Sequence, residues 1–392
     1  MAETTPLDVV MVGPFPSDAT RIQGGVQASL YGLGRSLIGR AEIRGVRVLA
    51  TPVAPTAAVT RDRVDDIDVT RLDTPYRFLV SAALRLPLVL ETIAAAGEPI
   101  VHLHGTGIVQ ALVLVVCLAK KIPVAWTMHG ITEKEMREAR RRTGGLKAWL
   151  RWALYAGCER LQLRLAPEIV VDTPYVLREI AGRTRVVPKS IPQGIFPEEM
   201  TAAVNPDRRA PVVVALGVVH PRKGHDLTIR AFARVAERVP EARLIVVGAL
   251  ADPAHLDTLR ALVAELGLAE RVEFRIDVTR DRVLDALARA RVFALHSQEE
   301  SQGIALCEAM AAGLPIVATR IGGIPDVLGA SGAGFLVEYG DVAAMAGHLE
   351  RLLTDDALHR AISAAATVRA GDFAWSAVAT RVLAVYRAAR DR

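Results

Sequence analysis

Cysteine is scarce in this sequence. Its three residues, Cys117, Cys158 and Cys307, are odd in number and show no C-x-x-C spacing, which argues against a disulfide framework or a zinc module and suits a reducing compartment such as the cytosol. Long apolar runs are missing too. The best candidate, GIVQALVLVVCLA ahead of Lys120 and Lys121, falls short of the ~20 residues a bilayer requires. The N-terminal MAETTPLDVVMVGPF has no basic residue before its apolar stretch, so it reads as a first strand and not as a secretory signal. No helix-turn-helix, RNP-like aromatic strand or zinc finger is present, which speaks against a nucleic-acid partner. The surplus of five positive charges therefore favours anionic ligands or surfaces without identifying one.

What is there is a regular alternation. Short β-branched runs (LDVVMVG, IVHLHG, PVAWTMHG, EIVVDTP) are separated by helical patterns over 25–40, 107–120 and YVLREIAG. After the Pro-rich, polar SIPQGIFPEEMTAAVNPDRRAP the alternation restarts with VVVALGVV, ARLIVVGAL, RVEFRI, RVFALHS, PIVATR and GFLVEY. Strand and helix in alternation predict parallel, doubly wound sheets. A chain of 392 residues exceeds one comfortable core, so two Rossmann-like α/β domains are expected, joined near residues 192–210 and facing each other across a cleft. Ligands of such sheets sit beyond the carboxyl ends of the strands. His104, His129, Gly217, Gly248 and Ser297 all fall there, although a glycine such as Gly248 can simply make a tight turn.

The segment EESQGIALCEAMAAGLPIVATRIGGIPD (299–326) carries the chemistry. RVFALHS reads as a strand and GIALCEAMAAG as a helix stopped by Gly313, so Gly303 lies at a helix start. There, unpaired N–H groups and a partial positive charge suit a phosphate, and a glycine keeps no side chain between backbone and ligand. Two carboxylates beside a phosphate are repulsive unless they face hydroxyls. Glu308 can reach a ribose diol, and Glu300 a sugar or the reacting face. The ligand that offers hydroxyls, a diphosphate and more hydroxyls is a nucleotide sugar.

ESQGIALCE also resembles the E-x7-E signature of the GT-B retaining glycosyltransferases of family four (glycosyl transferases group 1), and EAMAAGLPIVATRIGGIPDVL continues as that family does. GGVQASLYGLGRSL is similar to its glycine-rich first loop and helix, TMHG to its strand-end histidine, SIPQGIF to its interdomain turn, and GVVHPRKGHDLTIRAF to its phosphate loop. The resemblance implies an acceptor-binding domain over 1–195, a nucleotide-sugar-binding domain over 196–372, and a helix over 373–392 that crosses back to the first domain. It implies a donor set of Gly24, Gly25, Gly217, Arg222, Lys223, Gly303, Ile304, Ala305 and Glu308, with Lys223 on the diphosphate and Glu308 on the ribose. His129, Glu300 and Lys223 would be the catalytic residues, and His104 would face the acceptor. It further implies sugar transfer with retention, without metal or other cofactor, to a glycan, lipid-linked or small-molecule acceptor. Where the family carries Arg after the glycine of the phosphate loop, this chain has Val218; Arg222 is the expected substitute. A sugar-nucleotide epimerase or a non-catalytic sugar-nucleotide sensor would use the same frame.

Other patterns have plainer readings. His102 and His104 share a strand face, but no third metal ligand accompanies them. Asp66 and Asp68 form a D-x-D of the kind metal-dependent transferases of another architecture use; here it reads as surface charge. Residues 133–166 are basic and carry Trp149 and Trp152 among leucines. Such a helix either packs its apolar stripe on the sheet or lies on the inner face of an anionic membrane.

Overall fold

The structure is a computed structural model that describes residues 5–20, 22, 24–51, 58–72, 79–202 and 210–392; residues 203–209 of the expected linker lie outside this set. Two compact units emerge. One comprises Met1–Ala19, Val26–Pro192 and Trp375–Arg392, the other Thr20–Gly25 and Gln193–Ala374.

The first unit is built on eight strands: β1 (Leu7–Gly13), β2 (Ile43–Ala50), β3 (Thr60–Val64), β4 (Ile67–Arg71), β5 (Pro99–His104), β6 (Val124–Met128), β7 (Ile169–Val171) and β8 (Lys189–Ser190). Their order is β3-β4-β2-β1-β5-β6-β7-β8, parallel except for the β3–β4 hairpin. All seven residues of β1 are buried, because helices cover both faces of a parallel sheet and its central strands lose the polar alternation. The strand order reverses between β1 and β5, so His104, the last residue of β5, stands at a switch point of the kind where such sheets bind ligands.

The helix Trp375–Arg390 belongs to this unit although it follows the second in sequence. Trp375 fits against Gly32 of the helix Gly25–Leu37: a Cβ on Gly32 would stand 2.2 Å from the indole Nε1. Tyr386 is fully buried, its hydroxyl 2.8 Å from His102 Nδ1, and Arg387 pairs with Glu42 at 2.8 Å. Gly32→Ala is expected to destabilise by about 1–3 kcal/mol, because overpacking against a rigid ring outweighs the gain in helix propensity of at most about 1 kcal/mol. Gly34→Ala should be milder, since its Cβ would meet the movable ends of Ile67 and Met11. Urea unfolding of the two variants checks the order.

The second unit holds β9 (Val212–Leu216), β10 (Arg243–Gly248), β11 (Val272–Ile276), β12 (Val292–Leu295), β13 (Ile316–Thr319) and β14 (Gly334–Val337), parallel and ordered β11-β10-β9-β12-β13-β14. Period-two alternation sorts the core. Leu244 and Val246 face Phe232, Met345 and Leu349, whereas Ile245 and Val247 face Phe293, Leu306 and Met310. The order reverses between β9 and β12, and the loops leaving these two strands carry the phosphate loop and the E-x7-E segment.

The basic region 133–166 is two helices, Thr132–Thr143 and Gly145–Leu165. Gly144 and Gly145 both adopt positive φ (63° and 80°), a geometry that costs glycine little and that ends the first helix.

Candidate functional site

Past the carboxyl end of β9, Gly217 leads into a single 3-10 turn, Pro221–Lys223. The stem of Lys223 lies over Gly217, where an added Cβ would find its carbons at 3.7–3.9 Å. Its ammonium is bound to Glu300 Oε1. The sequence assigned these two residues separately, to diphosphate and to sugar; the structure brings them together as one ion pair. Ser297 Oγ donates to the same carboxylate at 3.2 Å, and Thr319 Oγ1 donates to the Ser297 carbonyl at 2.7 Å. The main chain of Arg222 ties the two loops, its carbonyl accepting from Gln298 N at 2.8 Å and lying 3.2 Å from Ser297 Oγ.

Glu300 is held from behind as well. Its carbonyl accepts from Gly323 N at 2.8 Å, and Gly322, at φ 55°, comes so close that a Cβ would stand 2.0 Å from that oxygen. Only glycine permits this approach. Gly303 then turns the chain at φ 84° and starts the helix Ile304–Ala311, which no side chain caps. A Schellman closure ends that helix, with Leu314 N donating to Ala309 O and Gly313 N to Met310 O, both at 2.9 Å. Leu306, Cys307, Ala309 and Met310 are buried, so packing fixes the helix and with it the direction of its free N–H groups.

The loop Thr20–Gly25 belongs to this unit. A Cβ on Gly25 would lie 3.5 Å from Ile304 Cδ1, which sets the glycine loop against the helix start. Arg280 ties it there, donating its backbone N–H to Thr20 O at 2.9 Å. The Arg280 side chain meets Glu308 at 2.6 Å; Glu199 lies 3.8 Å away. Burial works to lower the pKa of this guanidinium, but Glu308 and Glu199 outweigh it and hold it above its ordinary value. Sequence reasoning missed Arg280. The same strand-end rule points to it, since it opens the helix that follows β11. A second missed residue, Gln302, grips Gln193 through both amide atoms, at 2.7 and 3.0 Å, and so anchors the SIPQGIF turn beside the E-x7-E loop.

The first unit gathers histidines at the ends of β5 and β6. His104 Nδ1 lies 3.0 Å from His129 Nε2, and the two rings stack. His102 is engaged on both nitrogens, by Tyr386 and by Thr127 at 2.7 Å, so it has no lone pair left with which to make a metal pair with His104. His104 Nε2 is buried without a hydrogen-bond partner among the described residues. Burial pushes His129 down to about 3. Burial and the nearby His129 take His102 to about 3, and burial with both neighbours lowers His104 well below the ordinary value. The rings are therefore neutral at pH 7, and the Asp172 carboxylate 3.7 Å from His129 makes a polar contact and not an ion pair.

These shifts predict an acid-labile unit. Folded values lie below the unfolded 6.5, so the unfolded chain binds more protons. The stability contributed by each ring is complete above pH ~6.5 and is lost as pH falls toward 3. Each histidine should cost up to about 1.4 kcal/mol per pH unit below 6.5. Urea unfolding at pH 7.5, 6.5 and 5.5 checks this, and a flat profile across that window would contradict the neutral cluster.

The D-x-D lies on the β3–β4 hairpin, where Asp66 and Asp68 are exposed and both sit near Arg63, at 3.1 and 4.0 Å.

Residues 197–369 match the family model described as glycosyl transferases group 1. This stretch of the chain is similar to that family. Of the residues expected to bind a donor, all but Gly24 and Gly25 fall within or beside this stretch, and the whole chain has the GT-B fold. A sucrose-phosphate synthase from Thermosynechococcus elongatus aligns over 97% of this chain and 98% of its own at TM-score 0.78 and 21% identity. HepE from Anabaena, solved with UDP and glucose, aligns over 97% and 99% at TM-score 0.72 and 17% identity. In sequence, the chain is 34% identical over 180 residues to a D-inositol 3-phosphate glycosyltransferase of Corynebacterium efficiens, covering 45% of this chain and 42% of that protein. The chain thus spans less than half the length of that curated relative.

Proposed function

We propose that this chain transfers a sugar from a nucleoside-diphosphate sugar to an acceptor hydroxyl, with retention of anomeric configuration and without a metal. The observation that carries this reading is the meeting of Lys223, Glu300, Gly217 and the uncapped start of the helix Ile304–Ala311 at the switch point of the second unit. As the bond from C1 to the diphosphate oxygen breaks, the leaving group gains charge; Lys223 and the helix N–H groups face that charge and lower the barrier. The acceptor oxygen bonds to C1 on the same face, and its proton passes to the departing phosphate oxygen. Glu308 accepts from the ribose hydroxyls, with Arg280 holding its carboxylate. The neutral histidines of the first unit offer hydrogen bonds to hydroxyl groups and add no charge.

The named relatives support this reading: HepE was solved with UDP and with UDP-glucose, and the curated relatives are glycosyltransferases. Acceptors of glycan, lipid-linked or small polyol type all supply the required hydroxyl. Three free cysteines suit action in a reducing cytoplasm.

The test begins with a thermal-shift screen of UDP-, GDP- and ADP-sugars, where a donor at a hundredfold excess over its Kd stabilises by about 2.7 kcal/mol. Product NMR with the best donor and a panel of polyols follows, with and without EDTA. Retained anomeric configuration and activity in the chelator are expected. Donor isomerised without an acceptor would make this an epimerase, binding without any turnover a sensor, and metal-reversible loss of activity would remove the charge argument.

A further inference from the structure

Among the described residues, nine large apolar side chains are exposed, and six of them fall on two helices of the first unit that pack against each other. Val115 and Leu118 lie on Ile108–Ala119; Leu146, Trp149, Leu150 and Leu161 lie on Gly145–Leu165. Leu146 is 71% exposed, Trp149 46% and Leu150 53%. Their spacing of three and four puts these three on one helix face. A solvated surface helix would carry polar side chains there.

The charge around this face is predominantly positive. Residues 133–166 contain nine Lys or Arg against four Glu, a surplus of five that equals the net charge of the whole chain. Two of the four, Glu133 and Glu159, are buried and already held by Arg137, Arg160 and Arg183. Lys147 and Arg151 are exposed beside Leu146 and Leu150. Arg140, from the preceding helix, lies over the Trp152 ring at 4.9 Å, and Lys120 and Lys121 are exposed where Ile108–Ala119 ends. No described helix is long and apolar enough to cross a membrane.

We propose that this face docks on the surface of an anionic lipid bilayer, with Leu146, Trp149 and Leu150 entering the headgroup–acyl boundary and Lys147 and Arg151 meeting lipid phosphates. Partial insertion suits an apolar stripe too short to span. Tryptophan, apolar with one polar handle, suits the interface. Basic residues beside the stripe draw it to anionic lipid. The arginines of the segment are thus not merely solvated. The inference stands apart from the transferase reading, because neither Lys223 nor Glu300 takes part in it.

The test is co-sedimentation of the full chain with vesicles of phosphatidylcholine alone or with added phosphatidylglycerol, at low and raised salt. Binding is expected only with the anionic lipid, and it should weaken about tenfold or more when salt screens the cations. The triple variant Leu146→Gln/Trp149→Gln/Leu150→Gln and the charge reversal Lys147→Glu/Arg151→Glu should each lower partitioning by about tenfold or more. Because all five side chains are exposed, melting temperature and donor binding should be unchanged in both. No binding of the wild type at low salt, or equal binding by both variants, overturns the proposal. So does a lipid-free dimer that the triple variant abolishes, since the patch would then belong to a second copy of the chain.

Discussion

Lys223→Ala should lower turnover by about 10²–10³, the usual consequence of removing one preorganised group that faces developing negative charge. The substitution does two things. It takes away the cation proposed to face the leaving diphosphate, and it strands the Glu300 carboxylate, whose side chain is only 10% exposed. Breaking a buried pair from one side costs about 3–5 kcal/mol, so part of any loss could arise from a damaged fold. The double variant Lys223→Ala/Glu300→Gln separates the two effects. Neutralising the stranded acid should recover most of the melting temperature while leaving turnover low, and the rate effects should not add, since both residues act on one ligand. Should turnover fall less than tenfold in Lys223→Ala, the lysine is chiefly the structural partner of Glu300, and the helix start alone meets the leaving charge.

The second large effect concerns Glu308. Glu308→Gln is expected to weaken nucleoside diphosphate binding by about 10- to 100-fold, because a hydrogen bond to a charged group contributes roughly 1.5–3 kcal/mol. A 2′,3′-dideoxy nucleotide, which offers no diol, should bind the variant and the wild type alike. That comparison is the discriminating one. On the sequence alone, Glu308→Ala would leave the fold intact, as for any helix-surface acid. The structure corrects this: the alanine variant abandons the half-buried Arg280 guanidinium, so it should melt earlier than the glutamine variant. Arg280→Met should mimic the binding loss without touching the ligand, because it releases the carboxylate that Arg280 holds. Calorimetry with the ribo- and dideoxy-nucleotides checks all three variants, and equal affinities throughout would remove Glu308 from the nucleotide site.

The legible parts of this chain are those in which one local cause dominates. The strands of the second unit read clearly because both faces of a parallel sheet are covered and each strand becomes an unbroken apolar run, as in VVVAL and RLIVVG. In the first unit, β2 is hard to read from sequence because IRGVRVLA interrupts its apolar residues with two arginines. The β3–β4 hairpin gives little signal because β3 is polar and mostly exposed, with Asp65 at φ 51° in the turn. Helix starts and ends at Gly303 and Gly313 were readable from glycine placement. The ion pairs were not: Lys223 and Glu300 are 77 residues apart, and nothing local to Glu308 announces Arg280. Such pairs are set by which strand ends the topology makes neighbours, and that emerges only once the sheet is ordered.

The return of the helix Trp375–Arg390 to the first unit has a consequence for how the protein is made. Synthesis runs from the N-terminus, so residues 1–192 emerge first, yet the unit they belong to lacks Trp375, Val378, Leu383 and Tyr386, all buried in the finished fold. Until those arrive, Gly32 and the edge of His102 face water or a chaperone. Apart from the short Thr20–Gly25 loop, the second unit is continuous over 193–374 and needs nothing from the last helix to close its core. The unit translated first is thus expected to close last, and a released chain truncated after residue 374 should display a protease-resistant second half beside a still-digestible first half.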